Sequence, residues 1–521
     1  MKLPSLRFLA LCLALLAPSA SAQDIKIAMS AAPTAMDPHF YDLGPNNNAS
    51  LHMFDTLINI NGDNQLEPGL ALSWKMIDKL TWELKLRKDV KFHDGTLLTA
   101  QDVVWSLDRP ATILDSPSSY AMYTKVITGK KIIDPSTVRL TTSTPYPELP
   151  VNLSAVSILS KKAAAGLKSD DFNRGKGMVG TGPFKFVRFQ RDDRLELARH
   201  DAYWGPKPAW STVTLRFIPN SATRIATLLS GEVQAIENVP SQDLSRLRAN
   251  PAFSIYSRTS ARLLFLGADT ARKVTPFVTA KDGKPLARNP LQDLRVRQAL
   301  SMAINRDLIR DRVMEGLSEP AGALAPSYAA GYDPSLKVPR YDPEGAKKLL
   351  AQAGYPDGFA MTLHTPNNRY QNDEKTAVTI AQMWAKIGVS AKVEGAPMSV
   401  FSVRGNRHEY SMHLAGYGAA AGQISLMLTS MLACKDPVKA TGDFNWQQYC
   451  NPALDALLEK AKSTLDDKAR LAVMKQAQAV GINDLGLIPL HHVVSSWATK
   501  KGYTYKGRAD ESTYAHFFGK Q

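Results

Sequence analysis

The sequence predicts an α/β protein with more than one folding unit. A chain of 521 residues is too long for a single hydrophobic core. Short strand-like segments alternate with amphipathic helical segments through most of the chain. Hydrophobic residues make up 44% and charged residues 21%, a composition typical of soluble globular proteins rather than disordered ones.

The N-terminal segment 1–22 has the pattern of a cleavable signal peptide. Lys2 and Arg7 supply the positive charge, an apolar run covers 8–17, and 19–22 reads Ser-Ala-Ser-Ala. Small residues at such positions are what a signal peptidase accepts. We therefore expect an exported, periplasmic protein.

Membrane anchoring is not favoured. The apolar run of the signal is too short to span a bilayer, and no later run is long enough. Cys12 raises the alternative of a lipoprotein, but Leu11 stands where a small residue would be needed. The mature chain is expected to be free and to begin near Gln23.

Two cysteines, Cys434 and Cys450, remain after removal of the signal. In an oxidising compartment such a pair is expected to form a disulfide, which would stabilise the fold by about 3 kcal/mol in the chain-entropy model. Two free thiols are the alternative.

The chain is basic, but its positive charge is dispersed. The formal charge is +15, and removal of Lys2 and Arg7 leaves 15 − 2 = +13. No Lys/Arg run or stripe interleaved with aromatic residues is present, so the charge indicates a solvated surface and no nucleic-acid partner.

The first half contains a predicted βαβ unit. A strand over 213–219 is followed by a helix with Ser221 at its N-cap, and a second strand covers 233–239. The segment 276–290, rich in Pro, Gly and charge, is the predicted linker between halves.

The second half repeats this pattern with longer helices. In order, it predicts a helix over 296–316, a helix capped by Asp342 and ended by Gly354, a strand over 359–366, a helix over 373–388, a strand over 389–395, and further strand and helix segments at 411–418 and 424–432.

No local signature of catalysis or cofactor binding is present. The sequence lacks HExxH, Walker A, GxGxxG and GxSxG motifs. His491 and His492 would point to opposite faces of a strand and could not chelate one ion together. We therefore predict no metal, no cofactor and no enzyme, although carboxylates distant in sequence could still meet in the fold.

The most conspicuous motif is His93-Asp94-Gly95, and its surroundings favour a structural role. An alternating strand precedes it, Asp94-Gly95 has turn chemistry, and Thr99 to Asp102 forms a capping box ahead of an apolar helix.

Four ordered segments carry a family resemblance. They are "WELKLRKDVKFHDGTLLTAQDVVWSLDR", "VGTGPFKFVRFQRDDRLELARHDAYWGPKP", "VTLRFIPNSATRIATLLSGEVQAIENV" and "VRQALSMAINRDLIRDRV". Their order resembles the family 5 solute-binding proteins of bacterial ABC importers, a family with dipeptide-, oligopeptide-, glutathione- and nickel-binding members. The resemblance covers nearly the whole mature chain.

The resemblance implies a two-lobed periplasmic-binding-protein fold of type II with an additional domain. Ligand would lie in a cleft between lobes that close by hinge motion. The monomeric protein would then dock on a permease and ATPase complex in the inner membrane. The implied boundaries are lobe I at 23–66, 199–281 and 491–521, the extra domain at 67–198, and lobe II at 282–490.

The resemblance also implies a ligand site. In dipeptide-binding relatives an aspartate after a strand takes the ligand ammonium, and an arginine from an earlier loop takes its carboxylate. Here Ala419 stands where the aspartate is expected, Tyr417 replaces a tryptophan, and Arg369 is retained. Tyr41 and Trp446 are further candidates for aromatic walls.

The small residues around Ala419 indicate a roomier pocket than in relatives. We therefore predict a protein that binds peptides or peptide-like organic solutes. The alternatives are a nickel- or haem-delivering binding protein, which the scattered histidines do not support, and a periplasmic hydrolase on the same fold.

Overall fold

A computed structural model describes residues 23–418, 421, 423–439 and 441–521. The predicted signal peptide 1–22 and Ala419 lie outside the described residues. The strands are β1 Asp24–Met29, β2 Ile58–Ile60, β3 Leu66–Pro68, β4 Ala71–Met76, β5 Thr81–Leu86, β6 Ile127–Asp134, β7 Thr137–Thr142, β8 Phe184–Gln190, β9 Arg194–Arg199, β10 Thr212–Phe217, β11 Ala235–Glu237, β12 Phe253–Ala268, β13 Val278–Thr279, β14 Ser318–Pro320, β15 Ala360–Pro366, β16 Ser390–Ala396, β17 Met412–Gly418, β18 Ile488–Lys500, β19 Tyr503–Tyr505 and β20 Phe518–Lys520.

Helices cover a similar share of the chain. They are α1 Gly44–Ser50, α2 Ala100–Asp108, α3 Ala121–Thr124, α4 Leu149–Leu153, α5 Lys161–Ala164, α6 Ser169–Asn173, α7 Ser221–Ser230, α8 Ser241–Ala249, α9 Leu294–Met302, α10 Arg306–Leu308, α11 Pro343–Gln352, α12 Asp373–Ala385, α13 Met398–Asn406, α14 Ile424–Met427, α15 Pro452–Ser463 and α16 Asp467–Asn483. The predicted α/β class is confirmed.

The largest sheet has 12 strands and joins distant parts of the chain. Its order is β13-β15-β17-β12-β18-β11-β1-β10-β9-β8, with β14 paired to β18 and β16 paired to β15. The pairs β1–β10, β1–β11, β15–β16 and β15–β17 are parallel. Parallel neighbours require crossover connections, which the helices supply.

The predicted βαβ unit is present, with β1 inserted between its strands. β10, α7 and β11 follow one another in sequence, and β10 and β11 flank β1 in the sheet. The predicted N-cap is wrong by one residue, because the side chain of Asn220 accepts the Thr223 N–H at 2.9 Å. Ser221 is the first residue of the helix.

Two long strands, β12 and β18, run through the centre of this sheet. The first part of β12 pairs with the later part of β18, while residues 262–268 pair with β17. The pairing register of the two long strands shifts between Thr259 and Leu263. β12 therefore keeps β18 as a neighbour along its length and gains β17 as a second neighbour from Arg262 onward. The domain limits stay predictions.

Two other predictions, the single helix over 296–316 and the linker over 276–290, differ from the structure. The helix predicted over 296–316 is divided, because the Asn305 side chain caps a new helix by accepting the Leu308 N–H at 2.9 Å. The buried Arg306 stabilises the break by donating to the carbonyl of Ser301 at 3.1 Å. The segment predicted as a linker contributes β13, which pairs with β15.

A separate antiparallel sheet has the order β4-β5-β7-β6, and the His93-Asp94-Gly95 motif is a turn in the segment that follows β5. His93 follows β5 and lies against the backbone of 180–182. Its Nδ1 accepts the Gly180 N–H at 3.3 Å, and its Nε2 lies 3.1 Å from the Gly182 carbonyl oxygen. Burial lowers the pKa of His93 to about 4, so the ring is neutral and both nitrogens serve the fold.

Within the described residues, no helix is long and apolar enough to cross a membrane.

Candidate functional site

A cavity of about 350 Å³ lies where several separate segments meet. Its lining comes from α1, the C-terminal segment 508–517, the α3 region with Tyr120 and Tyr123, and the facing residues Arg262 of β12 and Gly418 of β17. β17 ends at this point, and ligands of α/β sheets commonly bind beyond the carboxyl ends of strands.

A larger cavity of about 560 Å³ lies elsewhere, between Trp74, Glu148 and Arg470. Its lining includes Ala421 and Gln423 from the segment that follows β17, but it does not include Arg262, Gly418 or the C-terminal segment. The smaller cavity is the better candidate because its lining brings Arg262 and Glu511 to the end of β17 at Gly418. Arg369 and Tyr417 are not among the lining residues of either cavity.

An ion pair between Arg262 and Glu511 forms part of the cavity wall. Arg262 Nε donates to Glu511 Oε1 at 3.0 Å, and Nη2 donates to Oε2 at 2.9 Å. Burial alone would raise the pKa of Glu511, but the charge and hydrogen bonds of Arg262 outweigh burial and lower it. Gly418 leaves room for this arrangement, since a Cβ there would lie 3.3 Å from Arg262 Nη2.

Arg369 lies in the loop between β15 and α12, beside this pair. Its backbone N–H donates to Asp373 Oδ2 at 3.1 Å, and its guanidinium lies 5.5 Å from the Tyr370 ring centre. The surrounding protein and the like charge of Arg262 lower the pKa of Arg369. Among the residues that the structure describes, no carboxylate lies within ion-pair distance of it.

Tyr370 joins the end of β15 to the end of β17. Its hydroxyl donates to the Gly416 carbonyl at 2.9 Å and accepts the Gly416 N–H at 3.0 Å. A Cβ on Gly416 would lie 2.9 Å from the Tyr370 ring, so the close approach needs glycine. Arg369 and Tyr417, chosen from distant sequence segments, are thereby brought to neighbouring positions.

Tyr417 belongs to an aromatic cluster with Phe444 and Trp446. Its hydroxyl donates to Ser430 Oγ at 3.1 Å, and its ring centre lies 5.3 Å from that of Phe444. Phe444 in turn lies 4.2 Å from Trp446, which is only 2% exposed and donates to Asn406. Trp446 is thus enclosed by other side chains and supports the cluster instead of lining the cavity.

The disulfide between Cys434 and Cys450 closes the loop that carries this cluster, with Cα atoms 4.4 Å apart. Asn445 fastens the loop internally, since its amide donates to the carbonyls of Ala433 and Tyr449 at 2.9 and 2.6 Å. The two sulfurs and Asp455 form the only group of potential metal ligands among the described residues. Because the sulfurs are bonded to each other, this group does not offer thiolate ligands.

Tyr41 does not line the cavity, but its neighbour Asp42 does. Tyr41 is half-buried and forms a backbone bridge with Ser118. Asp42 accepts the Tyr123 hydroxyl at 2.5 Å and the Asn47 amide at 2.7 Å. Sequence reasoning missed this carboxylate, as it missed Arg262, because neither belongs to a recognisable motif.

The chain matches the family model described as bacterial extracellular solute-binding proteins, family 5, over residues 65–437. It is 27% identical to the dipeptide-binding protein of Escherichia coli K12 over 492 residues, covering 89% of this chain and 88% of that protein. It is also 27% identical to the glutathione-binding protein GsiB of Shigella flexneri over 478 residues, covering 90% and 89%.

A solved structure has a similar overall fold. The periplasmic binding protein DppA of Helicobacter pylori, in complex with the peptide STSA, is 29% identical, with a TM-score of 0.74 and coverage of 95% of this chain and 98% of that one. The predicted two-lobed fold is confirmed by this likeness.

Proposed function

The chain belongs to family 5 of the bacterial extracellular solute-binding proteins, and from this membership we propose that it captures peptides or peptide-like organic solutes. The named relatives bind a dipeptide, glutathione and a tetrapeptide-like ligand, STSA. These ligands share a peptide backbone and at least one free carboxylate, so a site for this class must match a negative charge.

The observation that carries the proposal is the excess positive charge beside the cavity. Arg262 and Arg369 lie close enough to interact, and both feel the charge of a single carboxylate, Glu511, whose three hydrogen bonds from arginine all come from Arg262. A ligand carboxylate bound at Arg369 would balance the second. Arginine suits this role because its planar fork can bind both carboxylate oxygens.

In the proposed function the protein binds its ligand and releases it chemically unchanged. The protein would be exported by the segment 1–22, close its two lobes over the ligand, and deliver it to a permease and ATPase complex in the inner membrane. Members of the family are binding proteins rather than enzymes. No observation favours the nickel, haem or hydrolase alternatives.

A binding experiment tests this function. The protein is unfolded and refolded to remove retained ligand, then titrated calorimetrically with a panel of di- and tripeptides and their C-terminal amides. We expect free-acid peptides to bind at least tenfold more tightly than amides, the equivalent of about 1.4 kcal/mol. Arg369→Gln should reduce this preference, because Arg369 interacts with the Arg262–Glu511 pair. Arg340→Gln, a change at another exposed arginine with no such link, should not.

The outcomes separate the parts of the proposal. If no peptide binds, the ligand class is wrong. If peptides bind and Arg369→Gln leaves the acid-over-amide preference unchanged, the carboxylate assignment is wrong. If mass spectrometry finds the peptide cleaved after incubation, the protein is a hydrolase.

A further inference from the structure

We propose that Asp42 binds the ammonium group of the ligand. This inference rests on the proposed function, since it deepens the peptide site by giving it a second charged anchor. The anchor comes from the segment before α1, whereas the resemblance placed an aspartate after β17, at the position of Ala419.

Asp42 is held in place by neutral donors that leave its charge unbalanced. Asn47 Nδ2 donates to Oδ1 at 2.7 Å, and the Tyr123 hydroxyl donates to Oδ2 at 2.5 Å. Tyr120 donates to Asn47 Oδ1 and so orients the amide towards Asp42. A carboxylate has about four lone-pair sites, so two donors leave acceptor capacity for a ligand.

No cation of the described chain balances this carboxylate. Among the described residues, no lysine, arginine or histidine nitrogen forms an ion pair with Asp42. Asp42 is half-buried on the cavity wall, where a charge without a counter-ion is costly. A ligand ammonium would remove that cost.

Each of the other carboxylates that line the cavity is either paired with an arginine, buried or exposed. Glu511 pairs with Arg262, and Asp510 pairs with Arg508 at 2.5 Å. Asp55 is buried and accepts the Trp204 indole N–H at 2.7 Å and the Thr181 hydroxyl at 2.8 Å. Glu67 lines the same cavity, but it is exposed. Asp42 alone among these lining residues of the described chain is partly buried, oriented and without a cation.

Asp42 is also linked, through Tyr123, to Tyr417 near the end of β17. Tyr123, its hydrogen-bond donor, lies close enough to Tyr417 for the two phenols to interact electrostatically. Tyr417 immediately precedes the end of β17, where Ala419 follows outside the described residues. A carboxylate bonded to Tyr123 therefore supplies negative charge near Tyr417, on the last strand before the segment where relatives have the aspartate.

The two anchors differ in sign and in chain origin. Asp42 belongs to the part of the chain that contains β1 and α1, and Arg369 follows β15. A zwitterionic ligand would then be bound by separate segments, its ammonium at Asp42 and its carboxylate at Arg369. This predicts a preference for ligands with a free amine as well as a free carboxylate.

The test compares a free dipeptide with its N-acetylated form on the refolded full chain. Asp42→Asn removes the charge but keeps an oxygen that can accept from Tyr123. We expect it to weaken binding of the free dipeptide by about 10- to 100-fold, as for loss of a charged hydrogen bond. Binding of the N-acetyl peptide should change less than threefold, and the apo melting temperature should stay the same.

Glu67→Gln is the matched control, because it removes one negative charge from the same cavity at an exposed, unoriented carboxylate. It should leave the preference for the free amine intact. Equal binding of free and N-acetyl peptides by the native chain overturns the ammonium site while leaving the proposed function standing. So does an Asp42→Asn variant that keeps full affinity and preference. Failure of both peptide forms to bind overturns the proposed function and the ammonium site together.

Discussion

The turn at His93 and the cavity near Arg369 differ in whether their polar side chains are satisfied within the protein. At His93 both ring nitrogens find partners in the backbone of Gly180 and Gly182. Asp42 on the cavity wall and Arg369 in the loop after β15 form no ion pair with another residue of the described chain. A polar group whose bonding capacity is used internally stabilises the fold, and one whose charge is unmatched is available to a ligand.

The comparison also separates conspicuous residues from functional ones. His93-Asp94-Gly95 attracts attention as a motif, yet its groups are occupied, and Asp94 accepts from the Thr96 N–H and hydroxyl at 3.0 and 2.6 Å. Substitutions in the first region should therefore change stability, and those in the second should change binding.

Acid should have the largest effect, through histidines that are buried in the fold and do not line the cavity, such as His413 and His492. Burial lowers the pKa of His413 and His492 to about 3, whereas an unfolded histidine titrates near 6.5. Below that pH the unfolded state binds more protons, so stability falls as the pH falls. From pH 7 to 4.5 each should cost about 3 kcal/mol. A urea midpoint that does not move over this range contradicts the prediction.

Arg109→Met should come next. Arg109 donates to both oxygens of the buried Asp37 at 2.7 Å, and removal of one partner leaves a buried charge. We expect the free energy of unfolding to decrease by about 3 to 5 kcal/mol. As a control, Arg174→Met removes an exposed partner of Asp171 and should cost less than about 1 kcal/mol. Similar losses in chemical denaturation would show that burial is not the deciding factor.

His93→Ala should have an intermediate effect on stability and none on binding. It leaves the Gly180 N–H and the Gly182 carbonyl without their partner, at a cost of about 1 to 3 kcal/mol. Denaturation and peptide titration of the same preparation measure both quantities. A lost affinity at unchanged stability would place His93 in the binding site after all.

Thr99→Ala should cost about 1 kcal/mol, the usual net contribution of one hydrogen bond. Thr99 donates through its N–H and its hydroxyl to Asp102 Oδ2 at 3.0 and 2.8 Å at the start of α2. Thr99→Ser keeps the hydroxyl and serves as the control. An alanine variant as stable as the serine variant would rule out the cap contribution.

Arg369→Gln should have the smallest effect on stability. Surface substitutions without internal partners usually change the free energy of unfolding by no more than about 0.5 kcal/mol. Peptide affinity should nevertheless fall about tenfold. Thermal denaturation of the ligand-free variant checks the first expectation, and a large loss of stability would mean that Arg369 serves the fold.

Local periodicity predicted most of the secondary structure, and the errors have local causes. The cap of α7 was misplaced because Asn220 and Ser221 are both good N-cap residues. The break before α10 depends on Arg306 reaching Ser301 and Pro489, and the Pro489 contact is a tertiary one that periodicity does not contain. The segment 276–290 forms an edge strand because β15 offers it a partner.

The site was partly predictable for a topological reason. β15 and β17 are parallel neighbours, so the loop with Arg369 and the end of β17 with Tyr417 emerge at one edge of the sheet. Arg262 and Glu511 are separated by 249 positions and leave no local signal of their pairing. Asp42 was missed because its environment comes from Tyr123 in another segment.

The disulfide gives the ligand cavity a dependence on where the chain matures. Cys434 and Cys450 enclose Phe444, which packs on Tyr417, so the covalent bond braces a wall beside the cavity. In a reducing cytosol that brace is absent, and in an oxidising compartment it forms. Reduction of the disulfide should therefore loosen the packing of Phe444 on Tyr417 at the end of β17.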